Sequence, residues 1–486
     1  MIMSSCRTYL NFIDGGWSGT EEDTFEVKNP ADMEETIGFF QRSNEEDLNE
    51  AVKAAAASKM TWAETPGPER GRLLRKTGEC MKGRKEELAE SLTREEGKTL
   101  SEARGEVQRA IDIFYYYAEK ARDLGGSISS PSGKKKRLYT KKEPVGVVGL
   151  ITPWNYPIAI PSWKLAPALA AGNTVVIKPA SLAPNVCRML IECMEEAGFP
   201  DGVVNFVTGP GSVVGEAVAA HEDIDAVSFT GSRKVGERVY ERASKGGKRV
   251  QTEMGGKNPV LVMKSADIER AVEIAADGSF GVTGQACTAT SRAIVHEELY
   301  DDFVEKMKAK AESIEIGPGI EDPDMGPQVS EEELEATLDY IDAGKKEGAK
   351  LVTGGEPVER EDLSNGHFIE PTLFSEVEPE MRIAQEEIFG PVLAVIRAEG
   401  YEEAVDIAND VDYGLSASIL TEDLSEAHRF IEDSEAGVVK VNEKTTGLEL
   451  HIPFGGFKAS SSETWREQGD AGLDFYTISK TVYLNY

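Results

Sequence analysis

Cysteine and histidine are scarce in this chain of 486 residues, five of each. The cysteines (Cys6, Cys80, Cys187, Cys193 and Cys287) are odd in number, and no CxxC occurs. A disulfide framework is therefore not expected. The histidines (His221, His296, His367, His428 and His451) are scattered without ligand spacing, so no metal site is expected. Nowhere is there an unbroken apolar run of about 18 residues, the length a membrane-crossing helix needs. The start, MIMSSCRTYLNFIDGG, has no basic stretch followed by an apolar one, so no secretory signal is expected. These absences predict a cytoplasmic protein. Positive charge is also in deficit, with 53 Lys and Arg against 86 Asp and Glu, a net charge of −33. Binding to nucleic acid or to an anionic membrane needs a basic footprint, so neither is an expected partner. The acid is spread along the chain rather than gathered in a tail. That is the pattern of a solvated surface, as in proteins adapted to high salt, whose self-repulsion counterions screen.

Hydrophobic residues make up 40% of the chain, enough for large cores, and the length predicts two or three domains. Residues 1–40 read as short strands and turns. Ser43 is the expected N-cap of an alanine-rich helix, and Pro68 suits the first turn of a second. Helical pattern continues from Ser101 to Leu124. Residues 125–143 carry turn formers and the basic run Lys134 to Arg137, and they read as a protruding hairpin. From 145 the rhythm is β-α-β: strand-like runs at 145–151, 174–178, 203–207, 226–229 and 249–252 alternate with helical stretches. This predicts an α/β fold with a parallel, dinucleotide-binding type of sheet. A second α/β stretch runs from about 257 to 450, with helical patterns at 267–280, 297–313, 331–346 and 401–409. The tail alternates as a strand able to pair with the hairpin.

The chemistry centres on GQACTATSR, Gly284 to Arg292. Cys287 lies among small residues that leave room for a substrate to reach its sulfur. Upstream, Glu253 precedes Gly255-Gly256 and reads as a carboxylate on a turn, free to swing. A thiol nucleophile and a carboxylate base suit covalent catalysis. Asn155, in TPWNYP, follows the first sheet strand, where open α/β sheets bind ligands, and its amide can stabilise an oxyanion. Lys178 ends the second strand in KPAS and suits a ribose or phosphate. VTGPGSVVG places Gly209, Gly211 and Gly215 in a GxGxxxG spacing between strand and helix. SFTGSRKVG places Gly231 and Ser232 at a helix start, where backbone N–H groups suit a pyrophosphate.

Taken in order, TPWNYP, KPAS, FTGS, EMGGKNP, GQAC, EEIFGP and PFGGFK resemble the aldehyde dehydrogenase superfamily along essentially the whole chain. The resemblance implies Cys287 as nucleophile, Glu253 as general base and Asn155 as oxyanion donor together with the Cys287 N–H. It implies a cofactor cleft with Thr152 and Trp154 in its lining, Lys178 on the adenosine ribose and Ser232 on the pyrophosphate. Glu387 would hold the nicotinamide ribose, with Phe389 nearby. The implied reaction is attack of the thiolate on an aldehyde, hydride transfer to NAD(P), and hydrolysis of the thioester by water that Glu253 activates.

Two positions depart from the common pattern. Met254 replaces a more usual Leu. Ser181 stands where many NAD-preferring members have Glu after KPA, which favours NADP with NAD also used. The expected division is a cofactor domain over 1–124 and 144–254, a catalytic domain over 255–454, and an oligomerisation hairpin and strand over 125–143 and 455–486. A homotetramer built as a dimer of dimers follows from the resemblance. The C-terminal stretch is similar to the 2,5-dioxopentanoate (α-ketoglutarate semialdehyde) dehydrogenase branch. Succinate semialdehyde, betaine aldehyde and glyceraldehyde are the alternative substrates. Outside the class stand a cysteine acyltransferase or hydrolase, for which no histidine accompanies the cysteine, and a silent homologue, against which the intact Cys287, Glu253 and Asn155 speak.

Overall fold

The structure, a computed structural model, describes residues 7–486. Cys6 and the rest of the opening Met1–Cys6 lie outside them. Two seven-stranded sheets carry the molecule. In the first, Arg249–Glu253, Ala226–Thr230, Val147–Ile151, Thr174–Lys178 and Val204–Phe206 run parallel, in that spatial order. Asn11–Ile13 and Gly16–Ser18 extend that sheet antiparallel. Near-continuous runs of Val, Ile and Phe form its centre because helices bury both faces. The register puts Ile151 opposite Lys178 and Thr230 opposite Glu253. Lys178, Thr230 and Glu253 thus all close their strands along the carboxyl edge, the ligand-binding edge of such sheets.

The second sheet orders Lys350–Thr353, Thr372–Ser375, Val392–Ala398, Thr290–His296, Asn258–Val262, Ser416–Leu420 and Val438–Val441, parallel except for its first strand. Its Asn258–Val262 strand begins five residues after Glu253, so the two sheets meet at the EMGGKNP turn.

The tail pairs with the hairpin as expected. Thr477–Asn485 lies antiparallel to Lys136–Pro144 along its whole length, and Ile128–Ser129 adds a short third strand. The helices differ from expectation at two places. The first helix, Glu45–Glu64, is capped by Asn44 rather than Ser43. Asn44 accepts from Glu46 and Asp47 N–H, and Asp47 accepts from Asn44 N–H. The Ser43 hydroxyl instead accepts from the buried Asn11 amide. A separate helix, Lys85–Glu96, ends at Gly97 in the left-handed region (φ 101°). That turn sends the next residue, Lys98, into the interior.

Candidate active site

Cys287 sits at the end of a strained turn. The helix Ile268–Phe280 gives way to Gly281–Gly284, where Val282 and Thr283 adopt φ of 52° and 55°. Such angles are costly for β-branched residues and persist only when the surroundings enforce them. Here they are enforced. The Val282 N–H donates to Glu102 at 2.6 Å and the Thr283 hydroxyl to the Gly326 carbonyl at 3.0 Å. A Cβ at Gly284 would lie 2.2 Å from the Gly390 oxygen. The peptide around the sulfur is equally fixed. The Asn258 amide donates to the Cys287 and Ala289 carbonyls (2.8 and 2.9 Å), and Thr445 donates to the Thr288 carbonyl (2.7 Å). Asn155 donates to the Gln285 carbonyl at 2.9 Å and keeps its second amide hydrogen free of any acceptor among the described residues. The Cys287 N–H likewise has no acceptor there.

Glu253 is not on a swinging turn. It closes its strand, is buried, and accepts from the Gly456 N–H and the Ser461 hydroxyl, each at 3.1 Å. The glycine turn that suggested mobility starts only after it. Burial, and then the neighbouring Glu467, push the Glu253 carboxyl well above the usual carboxylate range. Glu467 is itself bonded to the buried Lys164 ammonium, which also donates to Ser228 at 2.6 Å. The Cys287 thiol is pushed up to about 12 by burial, then by Glu387, Glu253 and Glu467. Lys98, missed from sequence, supports Asn155 from behind. Its ammonium donates to the Asn155 carbonyl (2.7 Å) and to Glu106 (2.6 Å), 4.4 Å from the Tyr156 ring centre. Burial opposes that charge, but Glu106 and Glu96 outweigh it and hold the lysine above its ordinary value. Lys164, Glu467, Asn258 and Lys98 stand far from Cys287 in sequence or inside motifs with more conspicuous residues. The signal that finds them is full burial of a charge or amide.

A cavity of about 280 Å³ opens on Cys287, with Trp154, Asn155, Gly231, Ser232, Glu387 and Phe389 in its wall. Trp154 meets Phe389 edge to face, ring centres 5.4 Å apart. Glu387 accepts from the Gly256 N–H at 3.1 Å, and burial pushes its carboxyl up to about 7. A Cβ at Gly255 would fall 1.9 Å from that carboxylate. Ser232 caps the helix Arg233–Lys245 without spending its hydroxyl on the cap.

The remaining cofactor candidates stand further along the sheet edge. Lys178 is buried with no partner among the described residues, and burial lowers it to about 8. Its ammonium lies 3.9 Å from where a Cβ on Gly211 would be, an ordinary contact distance. Ser181 donates to the Gly209 carbonyl at 2.9 Å and opens on a separate groove with Lys28 and Ser330. The Thr152 and Thr230 hydroxyls and the Lys257 ammonium are buried without partners. Polar groups left unpaired along one edge are what a dinucleotide's hydroxyls and phosphates would satisfy, so the residues fit that group. Arg233 does not join them, because Glu237 (2.8 Å) and Asp412 (2.7 Å) occupy its guanidinium.

Comparison with known proteins gives the same picture. A sequence model of the aldehyde dehydrogenase family matches residues 17–482. The chain is 62% identical over 477 residues to an alpha-ketoglutarate semialdehyde dehydrogenase of Haloferax volcanii, covering 98% of this chain and 99% of that protein. It is 48% identical over 485 residues to the alpha-ketoglutaric semialdehyde dehydrogenase of Bacillus subtilis, 99% of each chain. Among solved structures, betaine aldehyde dehydrogenase from Staphylococcus aureus in complex with NAD+ superposes with a TM-score of 0.95 at 36% identity, over 98% of this chain and 94% of that one.

Proposed function

The chain belongs to the aldehyde dehydrogenase family, and from that premise we propose that it oxidises 2,5-dioxopentanoate, α-ketoglutarate semialdehyde, through a thioester on Cys287. The observation that carries the reading is the meeting of three groups: a thiol opening on the cavity, two N–H groups beside it without acceptors, and a buried carboxyl held in place. Cys287 attacks the aldehyde carbon. The free hydrogen of the Asn155 amide and the Cys287 N–H stabilise the oxyanion, their geometry fixed beforehand by Lys98 and by the pinned turn. Glu253 in its carboxylate form takes a proton from water, and that water releases the acid from the sulfur. A bound nicotinamide dinucleotide supplies the two-electron acceptor. Lys178, Gly211, Gly231, Ser232 and Thr152 would hold it at the sheet edge, with Glu387, Trp154 and Phe389 at its reactive end. The substrate itself is supported by the relatives named for it.

We further infer that NADP serves at least as readily as NAD. No carboxylate stands at position 181 to repel a 2′-phosphate, and Lys178 is an unpaired cation on the same edge. A homotetramer is supported by the exposed apolar residues of the paired tail, among them Ile478 (49% exposed) and Tyr483 (76%). The acidic charge supports a cytoplasm rich in salt. The division at 1–124 with 144–254, 255–454, and 125–143 with 455–486 is supported by the two seven-stranded sheets falling in different parts.

The test is kcat/KM for 2,5-dioxopentanoate, succinate semialdehyde, betaine aldehyde and glyceraldehyde, each with NADP and NAD. The expected result is a preference of about tenfold or more for 2,5-dioxopentanoate. A preference for betaine aldehyde overturns the substrate, and a strong preference for NAD overturns the cofactor.

A further inference from the structure

Arg109, like Arg70 and Arg249, has no ion pair among the described residues, but unlike them it is not taken up by three bonds to backbone carbonyls. It projects from the helix Leu100–Lys120, is half-buried, and has no carboxylate within ion-pair distance among the described residues. Its guanidinium makes two hydrogen bonds, to the Leu448 carbonyl and, at 2.8 Å, to Gln468 Oε1. Arg292 also lacks a carboxylate, but four bonds to backbone carbonyls occupy it. Arg109 retains donors beyond the two in use.

The groups around it lack acceptors as well. Arg109 lies over the Trp163 ring, 6.0 Å from its centre, and the buried Trp163 Nε1–H has no partner. The Gln468 amide must turn its oxygen to Arg109, so its nitrogen faces elsewhere, and that buried nitrogen has no partner either. Gln468 adopts φ 63°, a strained angle for its type. Three elements therefore bring donors without acceptors, among the described residues, to the surroundings of Arg109.

That place adjoins the nucleophile. Trp163 lies one helical turn beyond Ile160, which lines the cavity at Cys287. Trp163 packs on Phe454, ring centres 6.3 Å apart. Phe454 exchanges backbone hydrogen bonds of 2.7 Å with Glu467, and two residues on, Gly456 holds Glu253. We propose that Arg109 binds the carboxylate at the end of the substrate opposite its aldehyde. The assignment rests on the reading of the substrate as a carboxylated aldehyde. Burial lowers the affinity of Arg109 for its proton, against the pull of Tyr156, Glu449, Asp112 and Glu106. A planar guanidinium with N–H donors to spare suits a planar carboxylate.

The test compares kcat/KM for 2,5-dioxopentanoate with that for the neutral pentanal in wild type, Arg109→Leu and Arg109→Lys. The expected result is a fall of about 30-fold or more in the anionic-to-neutral ratio for Arg109→Leu, with partial recovery in Arg109→Lys. A fall smaller than about tenfold overturns the proposal. Should Arg109→Leu not fold, the wild-type enzyme decides. Glutarate must protect Cys287 from iodoacetamide at lower concentration than pentanamide does, and equal protection overturns the proposal. If wild type does not oxidise 2,5-dioxopentanoate, the substrate reading fails on its own. The ratio of glutarate semialdehyde to pentanal then still decides the role of Arg109.

Discussion

The two flanks of Cys287 are built on opposite rules. On the side of Glu253 and Asn155 the buried charged groups are answered within the chain: Lys98 by Glu106 and the Asn155 carbonyl, Lys164 by Glu467 and Ser228, Glu253 by Gly456 and Ser461. Along the carboxyl edge of the first sheet Lys178, Thr152 and Thr230 have no partner among the described residues, and neither has Lys257 before the Asn258–Val262 strand. A satisfied flank is rigid and fixes the reacting atoms in advance. An unsatisfied flank has kept its hydrogen-bonding capacity for a ligand. On the proposed function, the first flank acts on the substrate and the second holds the cofactor.

The largest expected effect comes from the atom both flanks serve. Cys287→Ala should abolish aldehyde oxidation while cofactor binding, measured by fluorescence quenching, stays. Turnover above a few per cent of wild type in a clean preparation would remove the covalent mechanism. Next, Lys98→Met should break the satisfied flank. It strands Glu106 and Glu96 in the interior, and the cost of leaving buried charge unpaired is about 3–5 kcal/mol. Denaturant unfolding should show that loss, with kcat/KM falling alongside it; unchanged stability would mean that the lysine is not the partner of those acids.

Lys178→Met should behave oppositely. Removing a cation that has no partner leaves the free protein as stable or more so, while cofactor affinity falls about tenfold or more, as for a charge-assisted contact. A destabilised protein with unchanged cofactor binding would reverse the roles of the two flanks. The smallest effect is general. With net charge −33, the melting temperature should rise from low to molar salt, and a flat or falling profile removes the high-salt reading.

The sheet edge was legible because its residues share a local rule. Each of Lys178, Gly231 and Ser232 closes or follows a strand-like run of Val, Ile and Phe, and the register of parallel strands brings such ends together. The pairing of the tail with 136–144 was legible for a similar reason, since alternation and an unpaired edge are visible in the chain. The satisfied flank was not. Glu253 looked mobile because two glycines follow it, whereas its partners Gly456 and Ser461 come from another part of the chain. Lys98 follows a glycine and looks like any surface lysine until the left-handed turn at Gly97 sends it inward. Arg109 and Gln468 lie on separate elements, and only folding puts one against the other. Long-range satisfaction of buried charge leaves no local pattern to read.

Glu253 is proposed as the base that frees the acid from Cys287, and rapid mixing of Glu253→Gln with saturating aldehyde and cofactor tests that most directly. Glutamine keeps the shape and the contact with Ser461 but cannot take a proton from water. Because the Glu253 carboxyl lies well above its ordinary range, the wild-type steady-state rate should also climb as pH rises and the carboxylate form fills. The predicted result for the variant is a burst of reduced cofactor close to one per active site, then turnover slowed by about 100-fold or more, with the acyl group found on the Cys287 peptide by mass spectrometry. A variant with no burst and an unchanged steady-state rate, free of acyl adduct, would contradict it.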